Sequence, residues 1–297
     1  MDIGEVIGGG FRTIRDKPLA VAVWALIYLL LFVGMMLLMR PMMETQMQSL
    51  NGDPQVQIAA MSALVGPFLL YFALLFIVYV ILFAAAQRAV LKPEQQSFFY
   101  LRLGMDELRL LALTILFVVV FYIAIFILMF ALVALTVSIG RGSTGLGVLM
   151  GFIDFLAVVA FTAFYYMRFG LAFPLTLMRG KIIIGEAWRI SRGHFWALFG
   201  ASLVILVILF ICWMVVSSLT NGAYFAEIAQ NAGNPVAMQQ AEQAQFARQF
   251  SFSGMAIVTW VLGGIIGALT VTLWGGAAAT AVQQLTFDRE KIAETFA

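Results

Sequence analysis

Asp154 is the one acidic residue set well inside an apolar run of this 297-residue chain. Ionisable groups cost about 2.5–3.5 kcal/mol at a bilayer centre and less towards the interface. A carboxylate kept there suits a proton or cation site, or an anchor for a polar ligand group. At 1.5 Å per residue, Asp154 lies roughly 9–13 Å in from the nearer end of its run. Its helical face carries Gly147, Gly151, Ala157, Thr162 and Tyr165, smaller or more polar than Phe152, Leu156 and Val159 opposite. The expected polar site is therefore Asp154 with Thr162 and Tyr165, pointing into a bundle. A carboxyl bonded to a hydroxyl or a backbone carbonyl, or one reaching the interface, needs no function.

Other candidate chemistry is sparse. Met35, Met36, Met39, Met42, Met43 and Met47 form a thioether cluster. Thioethers suit Cu(I), yet neither His nor Cys accompanies them, and Met also fills irregular apolar surface. The single cysteine, Cys212, has no disulfide partner, and the single histidine, His194, has no neighbouring nucleophile. These counts leave no Cys/His metal site and no triad. The expectation is a non-enzymatic protein without a cofactor.

A third group recurs. Phe11-Arg12-Thr13-Ile14-Arg15-Asp16-Lys17, Leu101-Arg102-Leu103-Gly104-Met105-Asp106-Glu107 and Trp188-Arg189-Ile190-Ser191-Arg192-Gly193-His194 each pair a bulky apolar residue with Arg. In each, an apolar run begins six residues after the first Arg. Arg12, Arg15, Arg102, Arg109, Arg189, Arg192, Trp188 and Trp196 are the expected lipid head-group contacts, with anionic lipids as partners. Asp106, Glu107 and Glu186 are expected to pair with nearby arginines.

These residues are positioned by six apolar runs: 18–39, 61–86, 108–138, 146–167, 195–219 and 254–285. Each meets or exceeds the roughly 20 residues that cross about 30 Å of hydrocarbon. Hydrophobic residues make up 63% and charged residues 11% of the chain, against about 45–50% and 25% in soluble domains. The runs are too long for barrel strands, so helices must satisfy the backbone. Fourteen of the seventeen Lys and Arg fall in the N-terminal segment, alternate connections and the tail; Arg40, Arg141 and Arg248 are the exceptions. Basic connections stay cytoplasmic, which places both termini inside. The first run is too long for a signal-peptide core and is expected to remain as an anchor. No basic cluster comes with a soluble module, so nucleic acid is not an expected partner.

The expectation is a single all-α domain: six transmembrane helices, three amphipathic helices at the cytoplasmic interface, and a three-unit internal repeat. Met42–Ala60 and Asn221–Ser253 read as polar outer connections, the latter with an amphipathic helix starting at Pro235. Pro174 is expected to end or kink the fourth helix, with Gly180 turning the chain beyond it. Gly263 and Gly267 form a small-xxx-small pair, read as internal packing or as a homodimer seam.

Gln87-Arg88-Ala89-Val90-Leu91, the stretch Phe98 to Gly104, Phe173-Pro174-Leu175 and the stretch Gly185 to Trp196 resemble a broad set of bacterial six-helix membrane proteins. The set includes the membrane domain fused to glycerophosphodiester phosphodiesterases. The resemblance implies a bacterial inner-membrane location and six helices. No catalytic barrel follows the matching region, so phosphodiesterase activity is not implied. The readings in play are a lipid-interacting, envelope-supporting protein and a secondary transporter or channel using Asp154. An enzyme acting on lipid head groups is the third, for which the sequence shows no nucleophile or carboxylate-metal cluster. Copper handling through Met35–Met47 is a further reading.

Overall fold

The computed structural model describes residues 1–48, 54–140 and 144–295. The chain is 89% helical, and no strand occurs among the described residues. The helices are α1 (Ile3–Asp16), α2 (Pro18–Gln48), α3 (Pro54–Leu91), α4 (Met105–Gly140), α5 (Thr144–Phe169), α6 (Ala172–Arg179), α7 (Ile184–Ser191), α8 (Phe195–Gln230), α9 (Pro235–Phe250) and α10 (Gly254–Thr295). Among the described residues six stretches are long and apolar enough to cross a membrane: Pro18–Pro41, Val65–Leu91, Phe98–Ile139, Gly145–Arg179, Phe195–Gln230 and Gly254–Phe287. This is an all-α polytopic membrane fold.

Several boundaries differ from the sequence expectation. Met42–Ala60 is largely helical, because α2 continues to Gln48 and α3 starts at Pro54. Polar residues beyond the apolar run do not stop the helix, and α2 continues even past Pro41. The side chains of Met42, Met43 and Met47 lie outside the described residues, as do Arg141 and the side chains of Arg289 and Lys291. The fourth span breaks at Gly170–Leu171 rather than at Pro174. Pro174 has no N–H for the Gly170 carbonyl and crowds it, so the interruption falls one turn earlier. Gly180 then caps α6 at φ 66°, its N–H donating to the Thr176 carbonyl at 2.9 Å. The helix starting at Pro235 forms as expected, with Asn234 accepting from the Ala237 N–H at 3.2 Å.

The expected threefold set of interfacial helices is not regular. α1 and α7 precede α2 and α8, but the middle position holds only a four-residue 3-10 turn, Ser97–Tyr100. Phe98, Phe99 and Tyr100 all have positive φ (45°, 58° and 64°). Left-handed backbone costs roughly 1–2 kcal/mol per non-glycine residue, so tertiary bonds must hold it there.

Those bonds belong to the first of two compact units, comprising Met1–Gly10, Phe83–Leu203 and Trp274–Ala297. Arg88, near the end of α3, is fully buried. Its Nη1 donates to the Tyr100 carbonyl at 2.6 Å, and its Nη2 donates to Glu107 Oε1. Glu107 Oε2 accepts from the Gly104 N–H at 3.0 Å, capping α4. One guanidinium thus fixes the end of α3, the intervening turn and the start of α4. Within the same unit α4 and α5 meet through rings. Phe121 stacks on Phe161 at 6.1 Å, and Phe117 lies edge-on to Tyr165 at 5.8 Å. The Tyr165 hydroxyl donates to the Phe117 carbonyl at 2.9 Å. From residue 145 to 166 no side chain is buried, as suits a surface solvated by lipid.

The start of α1 docks on the end of α10 through glycine. A Cβ at Gly276 would stand 2.7 Å from Gly10 Cα, and one at Gly9 would strike the Thr280 hydroxyl. Such proximity lets two helix backbones touch. The Asp2 N–H donates to Gln284 Oε1 at 3.0 Å, and Gln284 Nε2 donates to Glu5 Oε2 at 2.6 Å.

The second unit comprises Phe11–Leu82 and Val204–Leu273. Here Gly264 of α10 abuts the backbone of α2: a Cβ would be 2.8 Å from the Ala25 carbonyl oxygen. Gly263 faces the Phe32 ring and Gly267 the Tyr28 ring. The small-residue pair therefore serves packing inside the chain. The Tyr71 hydroxyl of α3 donates to the Leu31 carbonyl of α2 at 2.8 Å.

Candidate functional site

The expected head-group residues occupy surface positions, and three of the arginines bond neighbouring side chains. Arg15 pairs with Asp16 at 3.0 Å and Arg109 with Asp106 at 2.9 Å. Arg102 donates to Gln95 at 3.2 Å. Arg12, Arg189 and Arg192 are exposed, and Trp196 is 78% exposed. The expected acid pairs form: Glu107 with Arg88, Asp106 with Arg109, and Glu186 with Arg179 at 3.3 Å. Sequence reading did not single out Arg168. Its guanidinium carbon lies 5.1 Å from the Trp188 ring centre and 5.5 Å from that of Phe164. Two aromatic faces hold the cation in place.

Asp154, Thr162 and Tyr165 do not form one site. Asp154 Oδ2 accepts from the Thr136 hydroxyl of α4 at 2.6 Å. Thr162 turns its hydroxyl back onto the Val158 carbonyl of its own helix at 2.8 Å. Tyr165 is committed to Phe117. Hydroxyls in a helix find a carbonyl one turn back more readily than a partner two turns away. Asp154 is thus a carboxyl bonded to a hydroxyl, with Oδ1 buried and unpartnered among the described residues. No group of three or more His, Cys, Asp or Glu side chains converges among the described residues. His194 precedes α8, with Nδ1 buried and without a hydrogen-bond partner among the described residues.

A concavity of about 420 Å³ lies in the second unit between α2, α3, α8 and α10. Trp213, Val216, Ser217, Thr220 and Asn221 line it from one stripe of α8 at helical spacing. Thr259, Trp260, Gly263, Ile266 and Gly267 do so from α10, while α2 supplies Tyr28, Leu31, Phe32 and Met36, and α3 supplies Tyr71 and Leu75. The packing glycines shape it: with no side chain at 263 or 267, the Phe32 and Tyr28 rings lie flush against α10.

Polarity is graded along the cavity. Aromatic and aliphatic groups make most of its wall, and hydroxyls and amides gather where α8 and α9 approach. There Asn221 Oδ1 accepts from Gln245 Nε2 at 2.5 Å and from Gln249 Nε2 at 3.2 Å. Its own Nδ2 donates to Thr220 Oγ1 at 3.1 Å. Arg248 pairs with Glu227 at 2.9 Å, fastening α9 to the end of α8 outside the cavity. Among the described residues no charged side chain lines it.

Sequence reading missed this site because its members come from four separated runs, each ordinary on its own. The legible trace was Ser217, Thr220 and Asn221: uncharged polar residues on one face where the fifth apolar run ends. Compared with known proteins, the chain matches no family model and shows no significant similarity to a curated protein or a solved structure.

Proposed function

We propose that this multi-pass membrane protein holds a lipid-like amphiphile and acts without catalysis in the bacterial inner membrane, both termini cytoplasmic. The observation that carries the reading is the uncharged cavity, apolar in its body and amide-lined at one end. Ligand sites commonly enclose roughly 300–1,000 Å³ with mostly apolar walls and a few placed polar groups. Exposed Arg189, Arg192 and Trp196 supplement this by meeting anionic head groups at the basic end. The resemblance to bacterial six-helix membrane proteins agrees with the location and supplies no activity.

The test is mass spectrometry of the protein extracted with its own lipid, beside Ser217→Phe and the pair Arg189→Ala/Arg192→Ala. Ser217→Phe obstructs the cavity and is expected to release a bound amphiphile. The arginine pair should lose anionic lipid and keep that amphiphile. Equal amphiphile content in the native protein and Ser217→Phe would defeat the reading. Labelling that places Lys181 and Gln239 on the same side of the membrane would defeat the topology.

A further inference from the structure

We infer that the cavity selects a single-chain amphiphile whose polar head is uncharged and hydrogen-bonding, such as a fatty alcohol or a monoacylglycerol. This deepens the proposal above and rests on the cavity being a binding site. Three observations converge on the class.

Size comes first. A water molecule's share of the liquid is roughly 30 Å³ and a methylene group is of similar bulk, so about 420 Å³ takes on the order of a dozen heavy atoms. That is a small polar head with the first part of one alkyl chain, the rest of the chain lying in the bilayer, and not the two chains of a diacyl lipid.

Charge comes second. A buried ion needs an opposite charge or several donors. Arg248 and Glu227, on the two helices that carry the polar end, pair with one another outside the wall. An anionic or cationic head would meet no charged side chain among the described lining residues.

The open hydrogen-bonding capacity comes third. Asn221 Oδ1 is saturated by two amides, and the Thr220 and Thr259 hydroxyls donate to the Val216 and Met255 carbonyls of their own helices. The groups left open in the wall include the Ser217 hydroxyl, Gln249 Oε1 and the Trp213 and Trp260 indole N–H, none of which has a hydrogen-bond partner among the described residues. Open donors beside an open carbonyl oxygen suit an alcohol or glyceryl head, which both gives and takes a hydrogen bond, whereas a carboxylate can only accept.

Trp213 and Trp260 in the wall supply the readout. The intact protein in lipid nanodiscs is titrated with chain-brominated monoacylglycerol, and separately with the equally long brominated fatty acid at pH 9, where its head is a carboxylate. Trp213→Phe/Trp260→Phe and Ser217→Phe are run in parallel, with elution volume confirming folding. The expected result is saturable quenching by the monoacylglycerol, at least tenfold weaker with the carboxylate and lost in both variants. Equal saturable quenching by both probes would overturn the neutral-head class while leaving a binding cavity. Absence of saturable quenching, or quenching that survives both variants, would overturn the cavity reading and this inference with it.

Discussion

Arg88 and Glu107 meet as a buried ion pair, with side chains 1% and 7% exposed, tying the end of α3 to the first turn of α4. The same guanidinium holds the Tyr100 carbonyl over three left-handed residues. Breaking such a pair leaves a buried carboxylate uncompensated, at a cost of about 3–5 kcal/mol. Arg88→Met is therefore expected to lower the thermal midpoint in mild detergent sharply. Arg88→Met/Glu107→Leu should recover part of the loss, since the double change removes both charges. A single variant as stable as the native protein would show that the clasp contributes nothing.

The glycine run at the start of α1 separates contact from propensity. Gly9→Ala would collide with Thr280, whereas a Cβ at Gly8 meets nothing within 4 Å. Forcing extra atoms into a filled contact costs about 1–3 kcal/mol, while Gly to Ala in an open helix gains up to about 1 kcal/mol. Unfolding curves should move in opposite directions for the two variants. Equal shifts would show that α1 does not dock there.

This contrast also marks how far the sequence could be read. The six spans were legible because apolar length is a property of one segment, needing no knowledge of neighbours. So was α9, announced by Pro235. The docking of Gly9 on Gly276 and the clasp of Arg88 were not, since each joins residues whose spacing follows no local period. Arg88 read as one more basic residue of an inner connection; only its burial distinguishes it. The cavity was harder still, because Tyr28, Tyr71, Ser217 and Trp260 each fit a lipid-facing or packing role alone. Asp154 was visible as an anomaly, but its Thr136 partner sits on the preceding helix. The helical-wheel reasoning applied to α5 could not reach it.

That partnership gives a third prediction. Thr136→Val keeps the shape of the side chain and removes the hydroxyl from Asp154 Oδ2. Interhelical side-chain hydrogen bonds in membranes average about 0.6 kcal/mol and reach about 1.7, so a small loss of stability is expected. Asp154→Leu should be at least as stable as the native protein, because it removes a polar group from an apolar stretch. If Asp154→Leu instead abolished a proton-driven flux in liposomes, the carboxyl would be a coupling site and the transporter reading would replace the present one.

The glycines of α10 should rank by what their missing Cβ would meet. At Gly264 it would be 2.8 Å from the Ala25 carbonyl oxygen and 3.1 Å from the Leu29 nitrogen, backbone atoms that cannot turn aside. Gly264→Ala must therefore push α10 off α2 and is expected near the upper end of the roughly 1–3 kcal/mol range for overpacking. At Gly267 the obstacle is the root of the Tyr28 ring, at 2.8 Å, a ring that forms part of the cavity wall. Gly267→Ala should cost less stability and yet weaken amphiphile binding. At Gly263 the nearest atoms are the far edge of Phe32, at 3.2 Å, so Gly263→Ala should be nearly neutral in stability. Thermal midpoints of the three variants and the quenching titration supply both orders. A Gly267→Ala protein that binds the probe as well as the native one would detach the Tyr28 wall from the ligand.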